Sequence, residues 1–292
     1  MVTLRDVIRE TTHQHLNAGY AVFGQCLSAV GWVGGTVPDH PRLTELPMSD
    51  VAQSGFLVGA ALAGKRPIYV VRYQGFQHLN AALIVNYAAK SKSLWRRPCP
   101  LLVRSIAMEG LIGPTSGSSH HSLFTRMPGI IVRAPMTPVE WTAAYDEWMV
   151  GDDPMYLSEH RGAYNNEDEL PDTLRGGDIT LYPISITRFA ADQAATDLAM
   201  QGINVNVMHI CKLKPLNITY ASTAKYGIVL DDDYAGGTAS DVAQQIHVAT
   251  GAQMRVLALE DRTAGFSIAT DNLPPNADRI KRFILDWRKT WD

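Results

Sequence analysis

Two short segments of this 292-residue chain carry side chains that could do chemistry. In PMSDVAQSGFLVGAALAGKRPI an acidic residue, Asp50, stands at the head of a Gly/Ala-rich stretch. In SSHHSLFTRMPG two histidines, His120 and His121, sit side by side. A carboxylate at a helix N-terminus is stabilised by the helix dipole, and taken alone Asp50 needs no other explanation. An imidazole titrates near neutral pH, so a histidine paired with a carboxylate in a cleft can transfer protons; unpaired, it is a surface or structural group. The sequence contains no GxGxxG, GxxxxGK[ST] or HExxH, so nucleotide cradles and zinc proteases lack support.

The elements that would position these residues alternate between helices and short apolar strands, the pattern of α/β layers on a largely parallel sheet. Residues 4–19 read as a helix and 21–24 as a strand. Residues 49–63 read as a helix capped by Ser49, with Gly55, Gly59, Ala60 and Ala63 allowing close packing. A strand over 67–73, a long helix over 79–92, and buried strands in PLLVRSIA and GIIVRAP follow. Thr137 before Pro138 predicts a capped helix over 137–149. A polar, turn-rich stretch follows, and a second alternating set comes after it: strands in DITLYPI, NVNVMHI, YGIVLDDD and MRVLALE, with helices over 188–202, near 217–224, over 239–251 and over 278–291. The organisation read from this is a domain over 1–160, a linker over 161–177 and a smaller domain over 178–292.

Bulk properties fit a globular protein: 46% hydrophobic and 19% charged residues. A net charge of −3 without a long basic run suggests neither a nucleic-acid nor a membrane partner. Cys26, Cys99 and Cys211 are odd in number and far apart, which suits neither a disulfide framework nor a zinc site and points to a reducing cytoplasm. The N-terminus lacks the apolar core of a signal peptide, and no stretch is long enough to span a membrane.

Five segments, in order, resemble the beta subunit of the decarboxylase component of pyruvate and branched-chain 2-oxoacid dehydrogenases, within the transketolase-like superfamily. They are SDVAQSGFLVGAALAGKRPI, YQGFQHLNAALIVNYAAK, HHS, MPGIIVRAPMTPVEWTAAY and DDPMYLSEH. The family forms are SE-x-G-x-x-G-x-x-x-GAA-x-x-G-x-RPI, N-x-AAK (here Asn86 through Lys90), HS and PGL-x-VV-x-P-x-x-P. The run from DITLYPI to KLKPL resembles the start of the second domain that the family shares with transketolases. The implied fold is two α/β domains: a thiamine-diphosphate-binding domain of the pyrimidine type and a smaller transketolase C-terminal-like domain.

The resemblance also implies a chemistry and its residues. The cofactor is thiamine diphosphate, whose thiazolium carbon becomes a nucleophile and whose cationic ring accepts electrons from the bond being cleaved. Asp50 matches the carboxylate that hydrogen-bonds the pyrimidine nitrogen. Phe76 matches the aromatic residue stacked on the pyrimidine face. His121 matches the active-site histidine of the HS motif, with His120 as the alternative. Gln25 falls where the family has glutamate, and His78 follows Phe76 closely enough to face the cleft or to be structural.

Two departures stand out. Asp50 is one methylene shorter than the family's glutamate, a reach deficit of roughly 1.3–1.5 Å, and a misplacement of about 1 Å can cost on the order of a hundredfold in rate. Gln25 can hydrogen-bond but cannot act as a base. In addition, the family's GDG…NN signature for magnesium and the diphosphate has no counterpart here, so no metal ligands are expected on this chain. An alpha-type partner should supply them in a heterotetramer, with a 2-oxoacid as substrate and a lipoyl acyltransferase as a conceivable acceptor. Two alternatives stay open: the C-terminal half of a split transketolase acting on a ketose, and a scaffold or regulatory subunit without catalysis.

Overall fold

The computed structural model describes residues 2–28, 33–217 and 224–291. Its first part runs α1 (Leu4–Asn17), β1 (Val22–Gly24), β2 (Leu43–Glu45), α2 (Asp50–Leu62), β3 (Ile68–Val71), a 3-10 turn (Gln74–Phe76), α3 (Gln77–Leu83), α4 (Ser91–Trp95), β4 (Leu102–Ala107), α5 (Ser122–Thr125), β5 (Ile131–Arg133), α6 (Pro138–Val150) and β6 (Met155–His160). The second part runs β7 (Ile179–Pro183), α7 (Thr187–Ala199), β8 (Val205–Val207), β9 (Lys212–Lys214), β10 (Tyr226–Tyr234), α8 (Thr238–Thr250), β11 (Gln253–Leu259) and α9 (Ala277–Arg288). The helix expected near residues 217–224 falls on 218–223, outside the described residues.

Among the described residues the strands form two sheets, in the orders β2-β1-β3-β4-β6-β5-β9 and β11-β10-β7-β8. Every pairing is parallel except β9 on β5. Strands β3, β4 and β6 are buried along their whole length, as parallel strands covered on both faces must be. The two-residue period survives inside that burial. Ile68 and Val70 join the core under α1 and α6, whereas Tyr69 and Val71 join the core under α2. The latter core is continuous with Tyr182, Val229 and Val242 of the second part, so the two sheets share a packed interior.

Several local expectations change. Ser49 precedes α2 but its side chain makes no capping bond; Thr137 does cap α6, accepting from the Glu140 N–H. Gly55 permits close packing, since a Cβ there would lie 2.9 Å from Leu83, but Gly59 is exposed with nothing near it. The long helix expected over 79–92 is α3, a π turn over Ile84–Ala88 and then α4. A buried ion pair ties α1 to the sheet: Arg104 donates to Glu159 (2.7 and 3.1 Å) and to the hydroxyl of Thr12 (3.0 Å). Tyr164 donates to the same Glu159 at 2.9 Å. No described helix is long and apolar enough to cross a membrane.

Candidate active site

Parallel α/β sheets open their ligand crevices beyond the carboxyl ends of the strands. At that end of the first sheet Gln25 directly follows β1 and Arg72 directly follows β3, while Asp50 opens α2 and Phe76 closes the 3-10 turn. These four residues line one cleft. Beneath it, the Tyr69 hydroxyl donates to Gln53 Oε1 (3.0 Å) and accepts from Asn80 Nδ2 (3.3 Å). Burial, reinforced by the Asp50 carboxylate, raises the Tyr69 phenol well above its usual range, so it stays a neutral hydrogen-bonding group.

The cleft is a wall rather than a container. It encloses only about 10 Å³, the space of a single water. One of its polar atoms is orphaned: Gln25 Nε2 is buried with no hydrogen-bond partner. The Arg72 guanidinium lies 4.8 Å from the Tyr73 ring and 5.8 Å from the Phe76 ring. The turn that carries Phe76 leaves no slack, because a Cβ on Gly75 would stand 1.9 Å from the Thr115 carbonyl oxygen.

The two histidines do not share a setting. His120 is largely buried, its ring 4.9 Å from that of the exposed His78 and 6.2 Å from that of Tyr234. Its N–H donates to Gln74 Oε1 at 2.7 Å, and burial lowers its imidazole to about 4. His121 is fully enclosed and turned to the second sheet. Its Nε2 lies 3.2 Å from the Asp231 carboxylate and its Nδ1 3.4 Å from Ser158 Oγ. Burial opposes its charge, but the carboxylates of Asp231, Asp233 and Asp232 outweigh that and lift it to about 10.

Those aspartates form a group that motif reading missed. Asp231, Asp232 and Asp233 are all buried at the end of β10. Asp232 Oδ2 accepts from Ser119 (2.6 Å) and Ser185 (2.9 Å), and burial raises its carboxyl to about 6. His160, at the end of β6, pairs with Glu109 at 2.6 Å. The available signal was the run LDDD closing an apolar strand: three consecutive acids there cannot all point to solvent. The structure thus brings Gln25, Asp50 and Phe76 into one cleft, sets His78 and His120 against each other, and seats His121 among the aspartates.

The family profile described as transketolase, pyrimidine binding domain, matches residues 7–167. The chain belongs to that family. The match takes in the cleft and both histidines. Among curated relatives of this family member, the 2-oxoisovalerate dehydrogenase subunit beta of Bacillus subtilis is 30% identical, covering 69% of this chain and 68% of the relative. The pyruvate dehydrogenase E1 component subunit beta of Gracilaria tenuistipitata is 28% identical, covering 84% and 85%. The acetoin:2,6-dichlorophenolindophenol oxidoreductase subunit beta of Cupriavidus necator is 25% identical, covering 70% and 67%. Two solved structures share the fold. A split-gene transketolase, described as an inactive beta4 tetramer, has a TM-score of 0.73 at 15% identity, covering 98% of this chain and 97% of that one. The transketolase of Campylobacter jejuni has a TM-score of 0.75 at 14% identity, covering 98% and 46%.

Proposed function

We propose that this chain is the beta-type, pyrimidine-binding subunit of a heteromeric thiamine-diphosphate-dependent enzyme that decarboxylates a 2-oxoacid and passes on the acyl or aldehyde unit. The observation that carries this reading is the convergence of Gln25, Asp50 and Phe76, from three separate segments, on one cleft at the carboxyl ends of β1 and β3. The names of the sequence relatives support the substrate class.

The residues present fit the pyrimidine half of the cofactor. Gln25 offers a buried N–H that nothing else accepts, Asp50 offers a carboxylate, and Phe76 an aromatic face. When bound, thiamine diphosphate supplies the carbon nucleophile and the electron sink. Asp50 would hydrogen-bond a ring nitrogen and favour one tautomer, Phe76 would stack on the ring face, and Gln25 would take the hydrogen-bonding place of the family's glutamate without acting as a base. Of the two histidines, His120 is the one we assign to the substrate carboxylate, because it reaches the exposed His78 while His121 faces inward.

The rest of the site belongs to a second polypeptide. The cleft residues of this chain address the pyrimidine alone, and the surface that covers the remainder of the cofactor is assigned to another chain. Met48, Val51 and Phe56 on and before α2, and Leu79, Tyr87 and Trp95 beyond it, are large apolar side chains left exposed, surface of the kind that a partner chain covers. The assigned partner is an alpha-type chain that grips the diphosphate through magnesium, giving a heterotetramer in the cytoplasm, with a lipoyl-bearing acyltransferase as the downstream acceptor.

The test is to co-purify the chain with its alpha-type partner, add thiamine diphosphate and magnesium, and measure carbon dioxide release from a panel of 2-oxoacids and ketol transfer from a ketose. Turnover of a 2-oxoacid that disappears in Asp50→Ala, with the complex still assembled, is the expected result. Turnover of the ketose alone would move the assignment to a split transketolase. Turnover unchanged in Asp50→Ala would remove Asp50 from the mechanism.

A further inference from the structure

The buried cluster between the two sheets has the makings of a cation site, and this holds whether or not the cofactor reading above is correct. His121, Asp231 and Asp232 bring one ligand atom each within 4.8 Å of one another. All three are essentially inaccessible to solvent, at 0%, 0% and 1% exposure. The distance from His121 Nε2 to the Asp231 carboxylate, 3.2 Å, is close to the roughly 3.3–3.6 Å that separates two ligand atoms on one tetrahedral ion with bonds of about 2.0–2.2 Å.

Each of the three groups is held from behind; in front, His121 Nε2 and the Asp231 carboxylate face each other at 3.2 Å, and one oxygen of Asp232 has no partner. His121 Nδ1 lies against Ser158 Oγ at 3.4 Å, leaving Nε2 directed into the cluster. Asp231 Oδ1 accepts from the N–H groups of Asp232 (2.9 Å) and Asp233 (3.4 Å), while its carboxylate faces His121. Asp232 Oδ2 accepts from two serine hydroxyls, but its Oδ1 is buried without any partner. Outer partners that fix ligand orientation in this way are a regular feature of metal centres. An oxygen with no donor, deep in a protein, is the atom that needs a ligand.

Charge points the same way. Asp231, Asp232 and Asp233 are buried against two imidazoles, His121 and His160, and His160 already serves Glu109. Negative charge in excess of its counter-charge is costly to bury. We propose that His121, Asp231 and Asp232 bind one divalent transition cation of the zinc class, with the fourth position left to Asp233 or a water. One imidazole and two carboxylates make a mixed nitrogen–oxygen set that suits such an ion better than magnesium or calcium, which favour oxygen alone. The ion clasps the end of β10 to the turn that opens α5, and so joins the two sheets. No local motif could announce it, because His121 lies more than a hundred positions from Asp231 and Asp232.

The full chain, stripped with a chelator in mild denaturant and returned to buffer, is given Zn2+ alone; bound zinc is measured by plasma mass spectrometry after gel filtration, and Tm by calorimetry. The expected result is about one ion per chain and a raised Tm. Asp232→Asn retains an oxygen for the two serines, so it should fold with a metal-free Tm near that of the parent, yet lose affinity by roughly tenfold or more. Asp231→Asn should behave likewise, and where it fails to fold Asp232→Asn carries the test. His13→Ala, which breaks up the half-buried His13–His40 pair remote in sequence from the cluster, should leave binding intact. No saturable uptake by the parent chain overturns the proposal, and so does zinc that survives in Asp232→Asn or vanishes in His13→Ala.

Discussion

At Asp50 a one-methylene difference decides how the cofactor would be held. The side chain opens α2, where it also meets the positive end of the helix dipole. Replacing it with alanine should cost at most about 1 kcal/mol in a urea melt, but lower turnover of the assembled complex by about a hundredfold or more. Gly75 is the opposite case, a residue with no chemistry and a strict fit. Gly75→Ala pushes a methyl group into the Thr115 carbonyl and should destabilise the chain by about 1–3 kcal/mol. It should also weaken cofactor binding through the displaced Phe76, as a titration of the complex would show; unchanged affinity would detach that turn from the site. That Asp50, Phe76 and Gln25 would line one cleft was legible because each lies in a contiguous string that can be laid beside a family pattern. Tyr69, Gln53 and the three aspartates were not, since their importance arises only where distant segments meet.

Elements with a clear hydrophobic period could be read directly, and those without one could not. Ile68–Val71 and Pro138–Val150 carry strong strand and helix signals and appear near their expected limits. Leu43–Glu45 and Lys212–Lys214 did not register as strands, being three residues long, partly polar and at the sheet's edges. Nor did MYLSEH, because Ser158, Glu159 and His160 look like surface residues and are buried only through their partners. The break of the long helix into a π turn has no proline or glycine to mark it. The polar half of β6 exposes the fold to a particular injury. Glu159→Ala leaves the Arg104 guanidinium enclosed without its carboxylate and should cost about 3–5 kcal/mol in denaturant unfolding. A loss below 1 kcal/mol would mean that the pair is not closed off from water.

For the molecule as a whole, stability against pH should carry a contribution from His15. Its ring is enclosed between Tyr145 and the Arg66 carbonyl: Nε2–H donates to the carbonyl at 3.1 Å and Nδ1 accepts from the tyrosine hydroxyl at 2.9 Å. Burial, with help from the Arg66 charge, lowers its imidazole to about 4. The unfolded chain therefore binds the extra proton between about 6.5 and 4, so this contribution is complete above pH 6.5 and is lost as pH falls to 4. The shift corresponds to about 3 kcal/mol, and His15→Gln should flatten the acid limb by that amount in chemical denaturation; parallel curves for parent and variant would refute it. The division into two α/β layers was legible from the alternation of elements, but β9 was not. That strand arises after β8 of the second sheet and hydrogen-bonds antiparallel to β5, at the border of the first. The second half of the polypeptide is thereby stitched into the first. A gene cut after residue 177 would yield a first half whose β5 border has open N–H and C=O groups, an invitation to self-association. Trimming this protein to its cofactor-facing part is thus expected to give aggregates rather than a minimal enzyme.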